Sequence, residues 1–357
     1  MNLDQRLQAL SNNAPHPLPK PLLTTFESHL DIARLSDVQP ETVSWLWKNR
    51  IPRGKVTLLV GDPGAGKSFA SLAVASSLTR GSHLPDDGDG VREPENVLLW
   101  NGEDGLEDTI RPRAETVGVA LERLHVIRGT IDGNGRRVPF SLADVASLAE
   151  ATQTLSEVGL VIIDPLAALL AGIDAHRDTE IRAALQPLVE FAHDARVAVL
   201  CILHLRKSEA QRALYRVGGS IGFVGMARSV LLAAEDPEDR RKAIAPLKSN
   251  LSAPACPIEY RIDEEGNFWW GAAAEDLDAE HLLRSARPEH AGVLNDAIAF
   301  FREELSDGPR SSRDVAEKAQ GFGISMRTLA RARKKLGIIA ERVGGIGSLG
   351  EWTLRMP

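Results

Sequence analysis

A glycine-rich segment at residues 61–68, GDPGAGKS, carries residue types suited to holding a phosphorylated ligand. Its members are Gly61, Asp62, Pro63, Gly64, Ala65, Gly66, Lys67 and Ser68. An apolar run precedes it and a helix-forming run follows, so backbone N–H groups and a helix N-terminus would both face a bound anion. In this pattern Lys67 reaches the β- and γ-phosphates and the Ser68 hydroxyl ligates magnesium. We therefore predict a site for ATP and Mg²⁺; the alternative is a turn that only joins a strand to a helix.

A carboxylate that could complete the magnesium site ends a second apolar run. Residues 160–163, LVII, are followed by Asp164. This is the form of a Walker B strand, in which the aspartate holds magnesium through its water shell. The alternative is a buried strand that stops at a polar turn residue. The next residue is Pro165 rather than glutamate, so the group that activates water must come from elsewhere.

The predicted general base follows a third apolar run, VLLW at residues 97–100. Glu103 stands in the sequence NGED directly after this run. Ligands bind at the carboxyl ends of the strands in parallel α/β sheets, which is where Glu103 would lie. We predict that Glu103 orients or deprotonates the attacking water, with Asp104 as the fallback. The alternative is that both acids cap the helix that follows.

A histidine occupies the same kind of position after a fourth apolar run. His204 follows residues 197–203 and opens the sequence HLRKS. A polar side chain at this strand end can sense the γ-phosphate and report hydrolysis to the following loop. We predict that role for His204; a structural or solvated histidine is the alternative.

The spacing of apolar residues predicts the elements that position these groups. From residue 43 to about 271, short apolar runs alternate with helix-period segments, at 68–80, 107–117, 143–157 and 178–195. Such alternation is typical of an α/β fold, a mostly parallel sheet with flanking helices. Later runs follow one another after short turns and are predicted to be antiparallel strands appended to that sheet.

Shifts in composition predict the domain boundaries. The proline-rich residues 1–40 are predicted to be a flexible N-terminal arm, residues 41–274 the P-loop ATPase domain, and residues 275–287 an acidic linker. Residues 288–357 have the order of a winged helix, with three helices followed by a glycine-rich hairpin around residues 344–350.

The end of the chain is basic although the whole chain has a net charge of -7. The basic residues of 309–357 are Arg310, Arg313, Lys318, Arg327, Arg331, Arg333, Lys334, Lys335, Arg342 and Arg355. Only four acids oppose them, and this asymmetry predicts contact with the DNA phosphate backbone. A solvated basic helix, or a winged helix that holds a protein partner, is the alternative.

Taken in order, these segments resemble the RecA-fold motor ATPases, above all the RepA-type replicative helicases of plasmids and mobile elements. The resemblance covers about residues 43–265 and includes GDPGAGKS, NGEDGLEDTIRPR, VIIDPLAALLAGIDAHRDTEIRAAL, ILHLRKS, GGSIGFVGMARSVLLA and PLKSN. It implies a RecA-like sheet and an ATP site that lies between the subunits of a ring, so we expect a homo-oligomer, most simply a hexamer.

The resemblance also implies residues that act across the ring. Arg228, in GMARSVLL, matches the position of an arginine finger that a neighbour inserts, and Lys248, in the run KSN, resembles an additional trans basic contact to the nucleotide. A surface ion pair for Arg228 and a solvated strand end for Lys248 are the alternatives. The segment 207–222 would project into a central channel and follow single-stranded DNA through Lys207, Arg212 and Arg216, with Tyr215 available for stacking. A solvated surface loop is the alternative for this segment.

Composition excludes several other classes of protein. Two cysteines allow at most one disulfide, which favours a reducing cytoplasm. The N-terminus lacks a signal-peptide pattern, and no uncharged apolar run approaches 20 residues, so no membrane span is predicted.

Three functions fit these features. The first is an ATP-driven DNA helicase or translocase that serves replication of a mobile or phage-like element, with other replication proteins as partners. The second is a recombinase-like or loader ATPase that binds and remodels DNA without unwinding it. The third is an ATP-dependent regulatory switch whose winged helix finds an operator or a partner. Strand displacement in solution distinguishes the first from the other two.

Overall fold

The computed structural model describes residues 32–88, 91–174, 177–205, 217, 221–236, 239–285, 293–306, 308–343 and 351–357. The chain divides into two units, Met1–Thr42 and Val43–Pro357. In the first unit the described residues carry one 3-10 turn, Leu35–Asp37. The rest of the predicted N-terminal arm, residues 1–31, lies outside the described residues.

The described part of the chain alternates strands and helices up to residue 204, runs mainly through strands between residues 229 and 273, and then continues through helices with three short strands. The strands are β1 (Trp45–Trp47), β2 (Ile51–Pro52), β3 (Val56–Gly61), β4 (Asn96–Asn101), β5 (Leu124–Ile127), β6 (Thr130–Ile131), β7 (Arg137–Val138), β8 (Val158–Asp164), β9 (Ala198–His204), β10 (Ser229–Glu235), β11 (Lys242–Ser249), β12 (Ile258–Ile262), β13 (Phe268–Ala273), β14 (Arg310–Ser311), β15 (Ile339–Val343) and β16 (Glu351–Arg355). The helices are α1 (Lys67–Arg80), α2 (Arg111–Val117), α3 (Val145–Leu155), α4 (Asp178–Ala195), α5 (Ile221–Met226), α6 (Ala279–Ser285), α7 (Val293–Glu304), α8 (Ser312–Gly321) and α9 (Met326–Leu336). A π-helical turn, Leu106–Ile110, leads directly into α2.

Nine strands form one large sheet, in the order β13-β12-β11-β10-β3-β9-β8-β4-β5. The strands from β10 to β5 run parallel to one another, whereas β11, β12 and β13 are added antiparallel at one edge. The predicted α/β fold, a mostly parallel sheet with flanking helices and appended antiparallel strands, is therefore confirmed.

The central strands are buried because helices cover both faces of the sheet. Residues 160–163 of β8 are 0% exposed, as expected for a continuous apolar run in a parallel sheet. On α4, Ile181, Leu185 and Leu188 recur at helical spacing and are likewise 0% exposed. One apolar cluster includes α4, and the other includes α1, on the opposite face.

The parallel register brings the ends of the central strands to one level. Gly61, at the end of β3, pairs with His204 at the end of β9. Asn101, at the end of β4, pairs with Asp164 at the end of β8. The segments that the sequence singled out for chemistry therefore meet at the carboxyl edge of a single sheet.

The C-terminal part, residues 293–357, has its own small core and a three-stranded sheet in the order β14-β16-β15. Helix α9 begins after Ser325, whose Oγ accepts from the backbone N–H of Thr328 at 3.1 Å, as a helix N-cap does. The predicted glycine-rich hairpin at 344–350 lies outside the described residues, although β15 and β16 on either side of it pair antiparallel. The predicted acidic linker, residues 275–287, contains α6, on which Leu282 and Leu283 are buried.

Among the described residues, every helix is too short or too polar to cross a membrane.

Candidate functional site

The phosphate loop, residues 61–68, joins β3 to α1 at the carboxyl edge of the sheet. Two of its glycines leave too little space for a side chain unless a neighbour moves. A Cβ on Gly61 would lie 2.2 Å from the carbonyl oxygen of Ala233, and one on Gly66 would lie 2.5 Å from Cδ1 of Ile262. Gly66 also has a φ of 85°, in the left-handed region that favours glycine. Contacts with β10 and β12 therefore confine the loop.

Lys67 curls back over the loop that carries it. Its Nζ donates to the carbonyl oxygens of Gly61 and Asp62, each at 2.9 Å, and lies 3.2 Å from Nδ1 of His204. Burial lowers the pKa of Lys67, while the negative charges of Asp164 and Asp62 act in the opposite direction. A charge that is shielded from water interacts strongly with an anion, so this ammonium group is well placed for phosphate oxygens.

Ser68 and Asp164 meet where α1 begins and β8 ends. The Ser68 hydroxyl donates to Oδ2 of Asp164 at 2.6 Å. Burial raises the pKa of Asp164, the hydrogen bond from Ser68 lowers it, and the nearby charge of Glu103 raises it further. A hydroxyl and a carboxylate are the hard oxygen donors that Mg²⁺ prefers, and a cation beside Asp164 would favour its charged form. These residues therefore fit the predicted magnesium site.

The two acids after β4 have different surroundings. Asp104 forms an ion pair with Arg113 at 2.8 Å, whereas Glu103 is exposed in the cavity beside the phosphate loop. Asn101 Oδ1 accepts from the backbone N–H groups of both acids, at 2.9 and 2.6 Å. The following helical turn has Gly105 as its N-cap residue, so neither acid caps it. This geometry supports Glu103 over Asp104 as the predicted general base.

These groups converge on one cavity of about 280 Å³ at the carboxyl edge of the sheet. Its lining residues are Gly64, Gly66, Lys67, Ser68, Phe69, Asn101, Glu103, Asp104, Arg113, Asp164, His204, Lys242 and Ile262. The sequence predicts that Lys67, Ser68, Glu103, Asp164 and His204 share one site, and all five line this cavity. Their arrangement suits binding of a nucleotide phosphate with a divalent cation.

Some residues around the cavity were not predicted from the sequence to belong to the site. The Arg113 guanidinium lies 5.5 Å from the centroid of the Phe69 ring, forming an apolar and cationic wall. The Tyr260 hydroxyl donates to the Ala65 carbonyl oxygen, and Lys242 Nζ lies 3.4 Å from the carbonyl oxygen of Gly64. The sequence RPR after Glu103 gives a local signal for Arg113, but Tyr260 and Lys242 come from strands far along the chain.

Arg228 and Lys248 lie at the opposite, amino edge of the sheet. The backbone N–H of Arg228 donates to Val56 O at the start of β3, at 3.2 Å, and its side chain is exposed. Lys248 Nζ donates to the carbonyl oxygens of Val224 and Ala227, at 2.6 and 2.8 Å. Burial, and then the neighbouring positive charge of Arg228, lower the pKa of Lys248. Neither side chain belongs to the phosphate cavity of its own chain, so a contact with ATP requires a second copy.

The segment predicted to enter a central channel lies mostly outside the described residues. Residues 206–216 and 218–220, which include Lys207, Arg212, Tyr215 and Arg216, fall in this group. The single-stranded DNA contact through this loop therefore stays a prediction.

The basic residues of α9 are divided between two surroundings. Lys334 and Lys335 are exposed to solvent. Arg331 is 8% exposed, and Arg331 and Arg327 both contact carboxylates of the body, the described residues 43–285. Two of the basic residues that the sequence analysis counted toward DNA contact are therefore paired with carboxylates of the same chain in this structure, and the DNA contact of the C-terminal part stays a prediction.

Two comparisons with known proteins agree with this geometry. The family model described as AAA domain matches residues 21–210, more than half of the chain. The DNA repair protein RadA of Brucella abortus (strain 2308) is 25% identical over 159 residues, which is 43% of this chain and 29% of RadA. The chain therefore covers less than a third of the length of that relative.

Proposed function

The chain belongs to the AAA domain family and is a RecA-like P-loop ATPase. From this premise we propose that it is a ring-shaped DNA helicase or translocase that is driven by ATP hydrolysis. The proposal extends to replication of a mobile or phage-like element, in keeping with the resemblance to RepA-type helicases. The phosphate cavity supports ATP hydrolysis, and the similarity to a DNA repair protein supports DNA as the partner.

Each of the cavity residues has its own role in the proposed hydrolysis of ATP. Lys67 neutralises phosphate oxygens, while Ser68 and Asp164 hold magnesium, which polarises the terminal phosphate when bound. Glu103 orients the attacking water and accepts its proton. Because Nδ1 of His204 lies 3.2 Å from Lys67 Nζ, loss of the terminal phosphate would change the surroundings of both side chains at once. His204 can then pass that change to the loop that follows β9.

The ring is supported by the separation of Arg228 from the phosphate cavity. These two features lie at opposite ends of parallel strands, and Arg228 is exposed. A ring whose subunits meet edge to edge would bring the Arg228 of one subunit to the phosphate loop of the next. In that arrangement Arg228 stabilises charge on the transferring phosphoryl group, and Lys248 beside it adds a second positive charge.

We also propose that the C-terminal part is a winged helix that contacts duplex DNA. Three helices and a three-stranded antiparallel sheet occur in the required order. The net positive charge of residues 309–357 supports attraction to phosphates, and Lys334 and Lys335 are exposed for that contact. Residues 1–40 remain the proposed arm, and residues 41–274 the proposed ATPase domain.

The observation that carries the proposal is the convergence of Lys67, Ser68, Asp164, Glu103 and His204 on one cavity, with Arg228 at the far edge. Native mass of the protein with ATP and single-stranded DNA, measured alongside strand displacement, tests it. A ring that separates strands supports a helicase, and a ring that moves without separating them supports a translocase. A monomer that hydrolyses ATP at the same rate with and without DNA would refute the ring motor and favour the regulatory switch.

A further inference from the structure

Helix α9 is held against the body by a buried arginine. Arg331 Nη2 lies 2.8 Å from Oδ2 of Asp236 and 2.9 Å from Oδ2 of Asp239, and its Nη1 lies 2.9 Å from Nε2 of His281. The side chains of Arg331 and Asp236 are 7% and 0% exposed. Such a pair would be costly to bury without full hydrogen bonding, so its partners fix where α9 docks.

A second arginine, one helical turn away, follows the same pattern. Arg327 contacts the carboxylate of Asp278 and the backbone carbonyl of Asp276. Arg241 of the body in turn binds Asp239 at 2.6 Å and Asp276 at 2.5 Å, which orients those two acids. The body therefore presents an organised set of carboxylates, and both arginines of α9 contact it.

This face of α9 carries two of the charges that a DNA backbone would need. N–H groups of a guanidinium that are held by carboxylates of the body cannot bind phosphate oxygens at the same time. We propose that the face of α9 formed by Arg327 and Arg331 is a shared docking surface, which binds either the carboxylates of the body or the phosphates of duplex DNA. The proposal rests on the DNA contact proposed above for the C-terminal part.

The carboxylates of the body that α9 contacts also lie near the phosphate loop. Asp236 directly follows Glu235, the last residue of β10, and Lys242 opens β11 on the other side of the same turn. Lys242 Nζ lies 3.4 Å from the carbonyl oxygen of Gly64 and 3.9 Å from Oε2 of Glu235. The turn that Arg331 contacts is therefore joined through Lys242 to the phosphate loop.

The test weakens the contact between α9 and the carboxylates of the body without changing either arginine of α9. In the full chain, Asp239→Asn with Asp278→Asn should tighten duplex DNA binding about three- to tenfold at low salt. The slope of log K against log salt should steepen by about 1 to 2, because each additional phosphate contact contributes roughly 0.9. The matched control is Glu115→Gln with Glu157→Gln, which removes two negative charges from surface ion pairs of the body. The control should leave both the affinity and the slope unchanged.

The outcomes separate this proposal from the function on which it rests. DNA binding that is retained, with an affinity and slope equal to those of the control, overturns the shared surface and leaves the DNA contact standing. Absence of duplex binding in the wild type and in both variants overturns the DNA contact as well, whereas ATP hydrolysis would be unaffected. Asp278→Asn alone, at an acid whose side chain is 55% exposed, gives about half of the slope change if the double variant fails to fold.

Discussion

The size of the fall in hydrolysis rate on replacing Arg228 by alanine distinguishes an action between subunits from an effect within one chain. Arg228 directly precedes β10 and lies beside Val56, whereas the phosphate loop is at the other end of β3, which is 6 residues long. At about 3.3 Å per residue, the backbone of Arg228 lies ~20 Å from the phosphate loop of its own chain. In water the charge would change the energy of a phosphate there by only about 0.2 kcal/mol, less than about twofold in rate.

A neighbour's arginine finger acts on a different scale. Removing such a contact costs roughly 10³–10⁵ in kcat, because the charge acts mainly on the transition state. We therefore expect Arg228→Ala to bind ATP almost normally and to hydrolyse it at least about a hundredfold more slowly. Nucleotide titration and steady-state turnover measure the two effects separately.

Mixing this variant with Lys67→Ala provides the sharper assay. Each protein alone lacks one half of every site, but about a quarter of the interfaces in an equal, random mixture join an intact phosphate loop to an intact finger. Turnover should rise to about that share of the wild-type value and should vanish when the protein is dilute enough to dissociate. Absence of rescue, with subunit exchange confirmed independently, refutes the trans role of Arg228 and the ring that requires it.

Other variants test single contacts in the cavity. Lys67→Ala should abolish hydrolysis and most nucleotide affinity, since Lys67 Nζ lies at the phosphate loop; unchanged binding and turnover would contradict the site. Glu103→Gln should bind ATP normally but hydrolyse it slowly, whereas Asp104→Asn should lose less; the reverse order in turnover assays would exchange their roles. Asn101→Ala removes the acceptor of two backbone N–H groups, so kcat should fall about tenfold with KM little changed, and a change in KM alone would argue against its positioning role. Tyr260→Phe removes a hydrogen bond to the Ala65 carbonyl oxygen and should weaken ATP binding by about 1 kcal/mol in calorimetry, with no loss expected if the loop is held by packing alone.

Local patterns in the sequence were enough to predict the central sheet and five of the cavity residues. Each of Lys67, Ser68, Glu103, Asp164 and His204 follows an apolar run, and parallel strands place such positions at one edge. The contact of Tyr260 with Ala65 joins residues 195 positions apart, and no periodicity encodes such a pairing. A local pattern also does not specify the partners of a charged side chain.

The arginines of α9 show that last limit most clearly. Along the helix, Arg331 looks like any basic residue beside a core-facing position. Its burial depends on Asp236 and Asp239, which belong to a turn between two strands of the large sheet. Net charge predicts attraction to phosphates, but only the folded chain shows which guanidinium groups already have carboxylate partners.

The matched strand ends at the carboxyl edge make the site sensitive to strand length and tolerant of most other changes in length. Gly61 pairs with His204, and Asn101 pairs with Asp164, each as the last residue of its strand. Deleting one residue within β9 would invert its alternation and put an apolar side chain beside Lys67 in place of His204. Residues added to the turn at 132–135, which lies between the short strands β6 and β7, would leave all four strand ends in place. Shuffling or transplanting segments of this domain should therefore succeed when the cuts spare the lengths of β3, β4, β8 and β9.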